Sequence, residues 1–270
     1  MSNLVLHPDT KRHADSLRPS PPQSLLLFGE KGVGLLTIAT SIVNGSPIVV
    51  TPEGEGQALS IKTERIRQLY DETRGSSKSK QFVIIDDAEL MTNGAQSAFL
   101  KLLEEPNPQM HFILTSHDKD TLLPTILSRV QAHHLPLPTE SDASNYMRSL
   151  IIDPAIRQKV TFLAPRHPSL IYAYANDIDR FEKDSALMSD ARKVIVAKTN
   201  YERQALALSH ASTRPGALEF IDACIHLLRY GLAREATTKN IKSVELYLAT
   251  RDALTRNVNV KLALARLMVQ

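Results

Sequence analysis

Residues Leu25–Ala39 read LLLFGEKGVGLLTIA. An apolar run with strand character ends at Gly29, and a second glycine follows at Gly34. That is the spacing of a G-x-x-x-x-G-K-[ST] phosphate loop placed between a strand and a helix. In such a loop the glycines let backbone N–H groups curl around phosphate. The lysine reaches the terminal phosphates, and the hydroxyl ligates magnesium. Here the two positions after Gly34 are Leu35 and Leu36, with neither charge nor oxygen. Gly29, Gly32 and Gly34 therefore read as a vestigial phosphate loop. Lys31 comes four positions too early, and Glu30 adds an anion where phosphate would sit. The helix N-terminus after Gly34 keeps its positive dipole end and with it a residual attraction for anions. The plain alternative is a strand-to-helix turn with no ligand at all.

Outward from this loop, residues up to about 135 alternate short apolar runs with helical patterns. Strands are expected at Leu25–Phe28, Pro47–Thr51, Phe82–Asp86, His111–Ser116 and Ala132–Leu135. Helices are expected at Val33–Val43, Thr63–Thr73, Asn93–Glu105 and near Leu122–Leu127. Such a rhythm predicts an α/β fold: a five-stranded parallel sheet with helices on both faces. Strands covered on both faces should be apolar throughout. Pro106 and Pro108 close the third helix. Beyond Pro136 and Pro138 the strand signals stop. Helices are expected near 140–151, 154–163, 168–178, 186–198, 201–210, 240–255 and 259–269. Leu218, Ile221, Ile225, Leu228 and Leu232 recur at helical spacing and predict one more amphipathic helix.

Composition bounds the answer. The 270 residues carry a formal charge of +3, too small to argue for nucleic-acid binding by itself. Cys224 is the only cysteine, which excludes an internal disulfide and a cysteine-based zinc cluster. No apolar run approaches the ~18 residues of a membrane helix, and the first residues lack the apolar core of a signal peptide. The expectation is a soluble, cytoplasmic protein without membrane contact. His133-His134 and the other histidines show no ligand spacing, so no metal site is expected.

The run FVIIDD, Phe82–Asp87, is a strand ending in two carboxylates beside the loop, the Walker B position. The first acid normally holds magnesium and the second, usually Glu, positions the attacking water. Asp87 is one methylene shorter than Glu, and a misplacement of about 1 Å can cost ~100-fold in rate. Asp86 and Asp87 thus read as a vestigial Walker B pair. Thr115, ending FILTS, stands where a polar sensor residue would; it either faces a phosphate or satisfies local backbone groups.

FVIIDDAELMTNGAQSAFLKLLEEP (82–106), with HFILTS (111–116) and LLPTILSRVQ (122–131), resembles the clamp-loader branch of the AAA+ ATPases. Within it the chain is most similar to delta-prime subunits of bacterial DNA polymerase III. The likeness covers residues 24–136 strongly. It extends weakly through RNVNVKLAL (256–264), similar to the last collar helix of those subunits. The resemblance implies three parts: a AAA+ module at 1–138, a small helical lid at 139–181 and an all-α collar for oligomerisation at 182–270. It further implies a subunit that is not an enzyme on its own and has no bound cofactor. ATP and magnesium would sit at a neighbouring subunit's site. The implied partners are the gamma/tau motor and delta subunits, with the sliding clamp and primed DNA reached through the assembly at the nucleoid.

Ser128 and Arg129 match the family segment that lends an arginine finger to the neighbour's ATP. Val130 stands where the family has cysteine. A guanidinium forks onto phosphate oxygens and keeps its charge, and an arginine finger is worth roughly 10³- to 10⁵-fold in rate. An ordinary surface ion pair is the alternative for Arg129. The family's four-cysteine zinc module is absent, and Ala164–Ser169 lacks the pattern that places a second sensor arginine; Arg166 is out of register. By resemblance, helix starts face DNA, with Arg65, Arg67 and the Thr92–Asn93 start as candidates. Two readings compete: an active P-loop NTPase with a deviant loop, using Lys31, and a AAA+-derived scaffold outside replication.

Overall fold

The structure is a computed structural model that describes residues 5–54, 59–73, 80–104, 107–256 and 258–269. Glu105 and Pro106, expected to close the third helix, and Asn257 lie outside the described residues. The chain divides into two compact units, 1–176 and 177–270.

The first unit is built on β1 (Ser24–Phe28), β2 (Ile48–Val50), β3 (Gln81–Ile85), β4 (Met110–Ser116) and β5 (Gln131–His134). All pairings are parallel and the order is β2-β3-β4-β1-β5. Alternate side chains point to opposite faces of a strand, and the two apolar clusters divide along that rule. Leu26, Val83, Ile85, Phe112 and Leu114 join one cluster, packed under α3 (Thr63–Thr73), α4 (Asn93–Glu104) and α5 (Pro124–Leu127). Leu25, Leu27, Phe82, Ile84 and Ile113 join the other, with α1 (Pro8–Leu17) and α2 (Leu35–Ile42). The register sets Leu26 beside Leu114 and Ile85 beside the same Leu114, so the first face is continuous across three strands.

Two expectations change here. β5 reads QAHH and is largely exposed, so the strands are not apolar throughout. An edge strand is held by ladder hydrogen bonds on one side and can be polar; β5 pairs with β1 from Leu25–Gln131 to Phe28–His134. Helix α1 was absent from the sequence pattern. It is polar except for Ala14 and Leu17, and these two suffice to seat it in the cluster with α2.

Helices α6 (Glu140–Leu150), α7 (Pro154–Leu163) and α8 (Pro168–Asn176) complete the first unit. Thr139 and Asp153 cap the first two by accepting backbone N–H bonds. The second unit is all helical: α9 (Ile178–Val196), α10 (Asn200–Ser209), α11 (Arg214–Arg234), α12 (Thr238–Thr255) and α13 (Val260–Val269). A Thr199–Glu202 capping box starts α10. The buried stripe of α11 is Ala217, Phe220, Ile221, Cys224 and Ile225, packed against Leu254, Leu264 and Leu267. This stripe is rotated from the leucine-rich face read in the sequence. Leu218, Leu228 and Leu232 are only half-buried, because the small residues at 217 and 224 let neighbouring helices approach. The Cys224 thiol is fully buried, and burial pushes its pKa up, which makes it an inert packing group.

Among the described residues no helix is long and apolar enough to cross a membrane.

Candidate functional site

In an open parallel sheet, loops at the carboxyl ends of the strands converge where the strand order reverses. β1 is that point here: the chain leaves it for β2 at the far edge, while β5 lies on its other side. The Gly29–Gly34 turn, Asp86–Glu89 after β3 and Thr115–His117 ending β4 therefore meet.

The turn is shaped by its glycines. A Cβ at Gly29 would stand 2.5 Å from the Leu135 carbonyl oxygen, and Gly32 and Gly34 adopt φ of +96° and +89°. Gly29 N–H donates to Ser116 O at 3.2 Å, tying the turn to β4. Gly34 is the N-cap of α2. Leu35 is buried and Leu36 half-buried, and both pack into the cluster with Ile38 and Ile42. Across the turn lies the start of α8. Ser169 donates to Gly32 O twice, from its N–H at 3.2 Å and its hydroxyl at 2.8 Å. The His167 ring covers the Gly32 Cα, 3.0 Å from where a Cβ would be. Its Nε2 stands 3.9 Å from Glu30. Arg166 points elsewhere, donating to Pro138 O at 2.7 Å and Leu137 O at 3.1 Å.

At the ends of β3 and β4, the Thr115 hydroxyl donates to Asp86 Oδ1 at 2.6 Å and accepts from the Asp87 N–H at 3.1 Å. Thr115 is fully buried. Burial raises the Asp86 pKa, opposed by the Thr115 bond. Asp87 is the one described non-glycine residue with positive φ, at +49°. Its pKa is also raised, first by burial and then by Glu89, against His117 and Lys31. His117 and Glu89 belong to this group and were missed in the sequence. The His117 N–H donates to Glu89 Oε1 at 3.1 Å. Its ring Nδ1 is 2.9 Å from Gly29 O, and its Nε2 is 3.5 Å from Asp87 Oδ1. The signal was the adjacency of β3 and β4, which brings residues 28 apart together; spacing along the chain does not reveal it.

Ser128 caps α5 and donates to Thr125 O at 3.0 Å. Arg129 follows with its side chain 38% exposed, donating to Thr125 O and forming an ion pair with Glu104 at 3.1 Å. Val130 is half-buried against the first cluster. On α3, Arg65 is paired with Glu72 at 3.1 Å, whereas Arg67 is exposed along a groove that also takes Tyr70, Ser97 and Lys101. The Thr92 hydroxyl accepts the Ala95 N–H at the start of α4, and Gly94 lets that start press against Thr63. The His133 ring meets the His13 ring at a tilt of 58°, with centroids 5.4 Å apart, and burial lowers the His133 pKa.

Comparison with known proteins bears on this arrangement. Residues 46–139 match the family described as DNA polymerase III, delta subunit. A DNA polymerase III subunit delta' of Haemophilus influenzae is 40% identical over 91 residues, 33% of this chain and 28% of that protein. Its Bacillus subtilis counterpart is 39% identical over 85 residues, 31% of this chain and 25% of that one. Over this stretch the chain is similar to delta-prime subunits. The matched segment spans only about a quarter of those relatives' length. A gamma subunit-related protein of DNA polymerase III from Thermotoga maritima shares the fold, with TM-score 0.62 and 21% identity over 96% of this chain and 97% of that one. The likeness shows a shared fold, and the delta-prime resemblance read from residues 82–106 lies within the matched stretch 46–139.

Proposed function

We propose that this chain is a non-catalytic, delta-prime-like subunit of a DNA polymerase III clamp loader. In this reading α6–α8 act as the lid and α9–α13 as the collar that joins neighbouring subunits. The turn at Gly29–Gly34 is framework, with no nucleotide of its own. The observation that carries this is the fate of the turn. Of its two ligand positions, Leu35 is a core residue and Leu36 packs half-buried against that core. Its Gly32 carbonyl is engaged by Ser169, and its outer face is covered by His167. Asp86 has its carboxylate turned to Thr115, where it orders the strand ends in place of magnesium.

The subunit's share of the chemistry is then Arg129, offered in trans to ATP on a neighbouring gamma/tau subunit. Support comes from its place after α5 and from the weakness of its present tie. An exposed ion pair such as Arg129–Glu104 is worth ~0.2–1 kcal/mol, and the exposed bonds to Thr125 O and Ser128 Oγ can be exchanged for bonds to water. Ser128 closes α5 and fixes the direction from which Arg129 leaves it. Delta, the sliding clamp and primed DNA complete the partners of this reading. Arg67 is the better placed of the two α3 arginines for a phosphate contact, because Arg65 is already paired.

The test is co-assembly. Mixed with gamma/tau and delta subunits of its own source, the full chain is expected to enter one complex on size exclusion. Elution of the chain by itself under conditions where gamma/tau and delta associate would remove the proposal.

A further inference from the structure

We propose that Asp87, Glu89 and His117 form a binding site for one divalent transition-metal ion, independent of any nucleotide. One ligand atom from each lies within 4.8 Å of the others. Three observations make this more than a patch of acids. The first is the histidine. A carbonyl only accepts, so the 2.9 Å contact to Gly29 O places the proton on Nδ1. With Nδ1 donating, the ring turns its Nε2 toward Asp87 at 3.5 Å, the backbone-anchored orientation that metal-ligating histidines use. The second is Glu89. Its Oε1 takes the His117 N–H, whereas its Oε2 is buried and has no hydrogen-bond partner among the described residues. A buried carboxylate oxygen without a partner is costly, and a cation would satisfy it.

The third is charge. Asp86, Asp87 and Glu89 place three carboxylates together at the ends of β3 and β4, and the crowding of Glu89 against Asp87 raises the Asp87 pKa after burial does. Donors on a sphere of 2.0–2.1 Å radius stand ~3.3 Å apart in tetrahedral geometry, and His117 Nε2 is already 3.5 Å from Asp87 Oδ1. Asp87 and His117 are a third and a quarter exposed, which leaves room for water at the open position. One imidazole and two carboxylates suit Zn²⁺ or its neighbours. Mg²⁺ prefers an octahedron of oxygens and keeps its waters.

Chelator-treated full chain is titrated calorimetrically with Zn²⁺ and, separately, with Mg²⁺, near pH 7.5. Wild type is compared with Glu89→Gln and His117→Gln, and imidazole nitrogens are followed by NMR. Glu89→Gln keeps an oxygen for the His117 N–H, so it folds even if the histidine variant does not. The expected result is one Zn²⁺ site in which the His117 Nε2 resonance shifts. Its affinity falls at least tenfold in either variant, and Mg²⁺ binds at least tenfold more weakly. Equal Zn²⁺ affinity in wild type and Glu89→Gln, an unmoved His117 resonance, or no Zn²⁺ binding would overturn it. The cluster would then be an ion pair and nothing more.

Discussion

Leu35→Lys restores the charge that the loop pattern lacks, and the structure says what it does. Leu35 is 3% exposed and packs with Leu25, Leu27, Ile38 and Ile42 under the sheet. Burying a leucine side chain contributes ~1.5–3 kcal/mol. An ammonium cannot stay there, because an unpaired buried charge is far more costly. The lysine must bend toward the turn, and its stem recovers part of the lost contact. The net loss is therefore about 2 kcal/mol. With a urea slope of ~2 kcal/mol/M, the midpoint of the first unit falls by roughly 1 M. ATP binding should not appear in return, since Leu36 offers no oxygen and His167 covers Gly32. The assays are urea denaturation followed by circular dichroism, and ATP titration with a turnover measurement. An unchanged midpoint would show that Leu35 is not core. ATP hydrolysis by the variant would refute the reading of the turn as framework.

Other perturbations are equally specific. Gly29→Ala drives a Cβ to 2.5 Å from the Leu135 carbonyl oxygen; overpacking of this kind costs about 1–3 kcal/mol, visible as a lower melting temperature. Asp87→Asn should raise the melting temperature of the metal-free chain at neutral pH. The Asp87 pKa is raised above its ordinary 3.8 in the folded state, so its favourable contribution is complete below about pH 4 and lost as pH rises through the folded value. Asparagine stays uncharged and tolerates the +49° φ, and its advantage should vanish near pH 3. Phe220→Ala empties a fully buried position in the second unit, and a loss of ~3–5 kcal/mol is expected. A loss below 1 kcal/mol in a denaturant titration would contradict the packing described for α11.

The strands and most helices were legible because their signal is local. Leu25–Phe28 and Phe82–Ile85 are apolar runs, and Thr63–Thr73 and Pro154–Leu163 match the sequence pattern end to end. What was hidden depends on pairing across the chain. The strand β5 was expected at Ala132–Leu135 and stands at Gln131–His134, but its polar, exposed character was hidden, because its partner β1 supplies the ladder. Helix α1 has two buried apolar residues and gains its stability from α2. At the site, Gly29 and Gly34 announced the turn. Its covering by residues 167–169, 137 positions away, could not be read from spacing. The same holds for Glu89 beside His117 and for Glu104 beside Arg129.

The central claim is that this chain gives its chemistry to a neighbour through Arg129. The most direct measurement is DNA- and clamp-stimulated ATPase activity of the reconstituted assembly with Arg129→Ala, with size exclusion confirming that the complex still forms. The account predicts an intact complex that loses most of its stimulated turnover, by 10³-fold or more at the site that Arg129 serves. Turnover equal to that of the unmodified assembly, from a complex of the same composition, would contradict it.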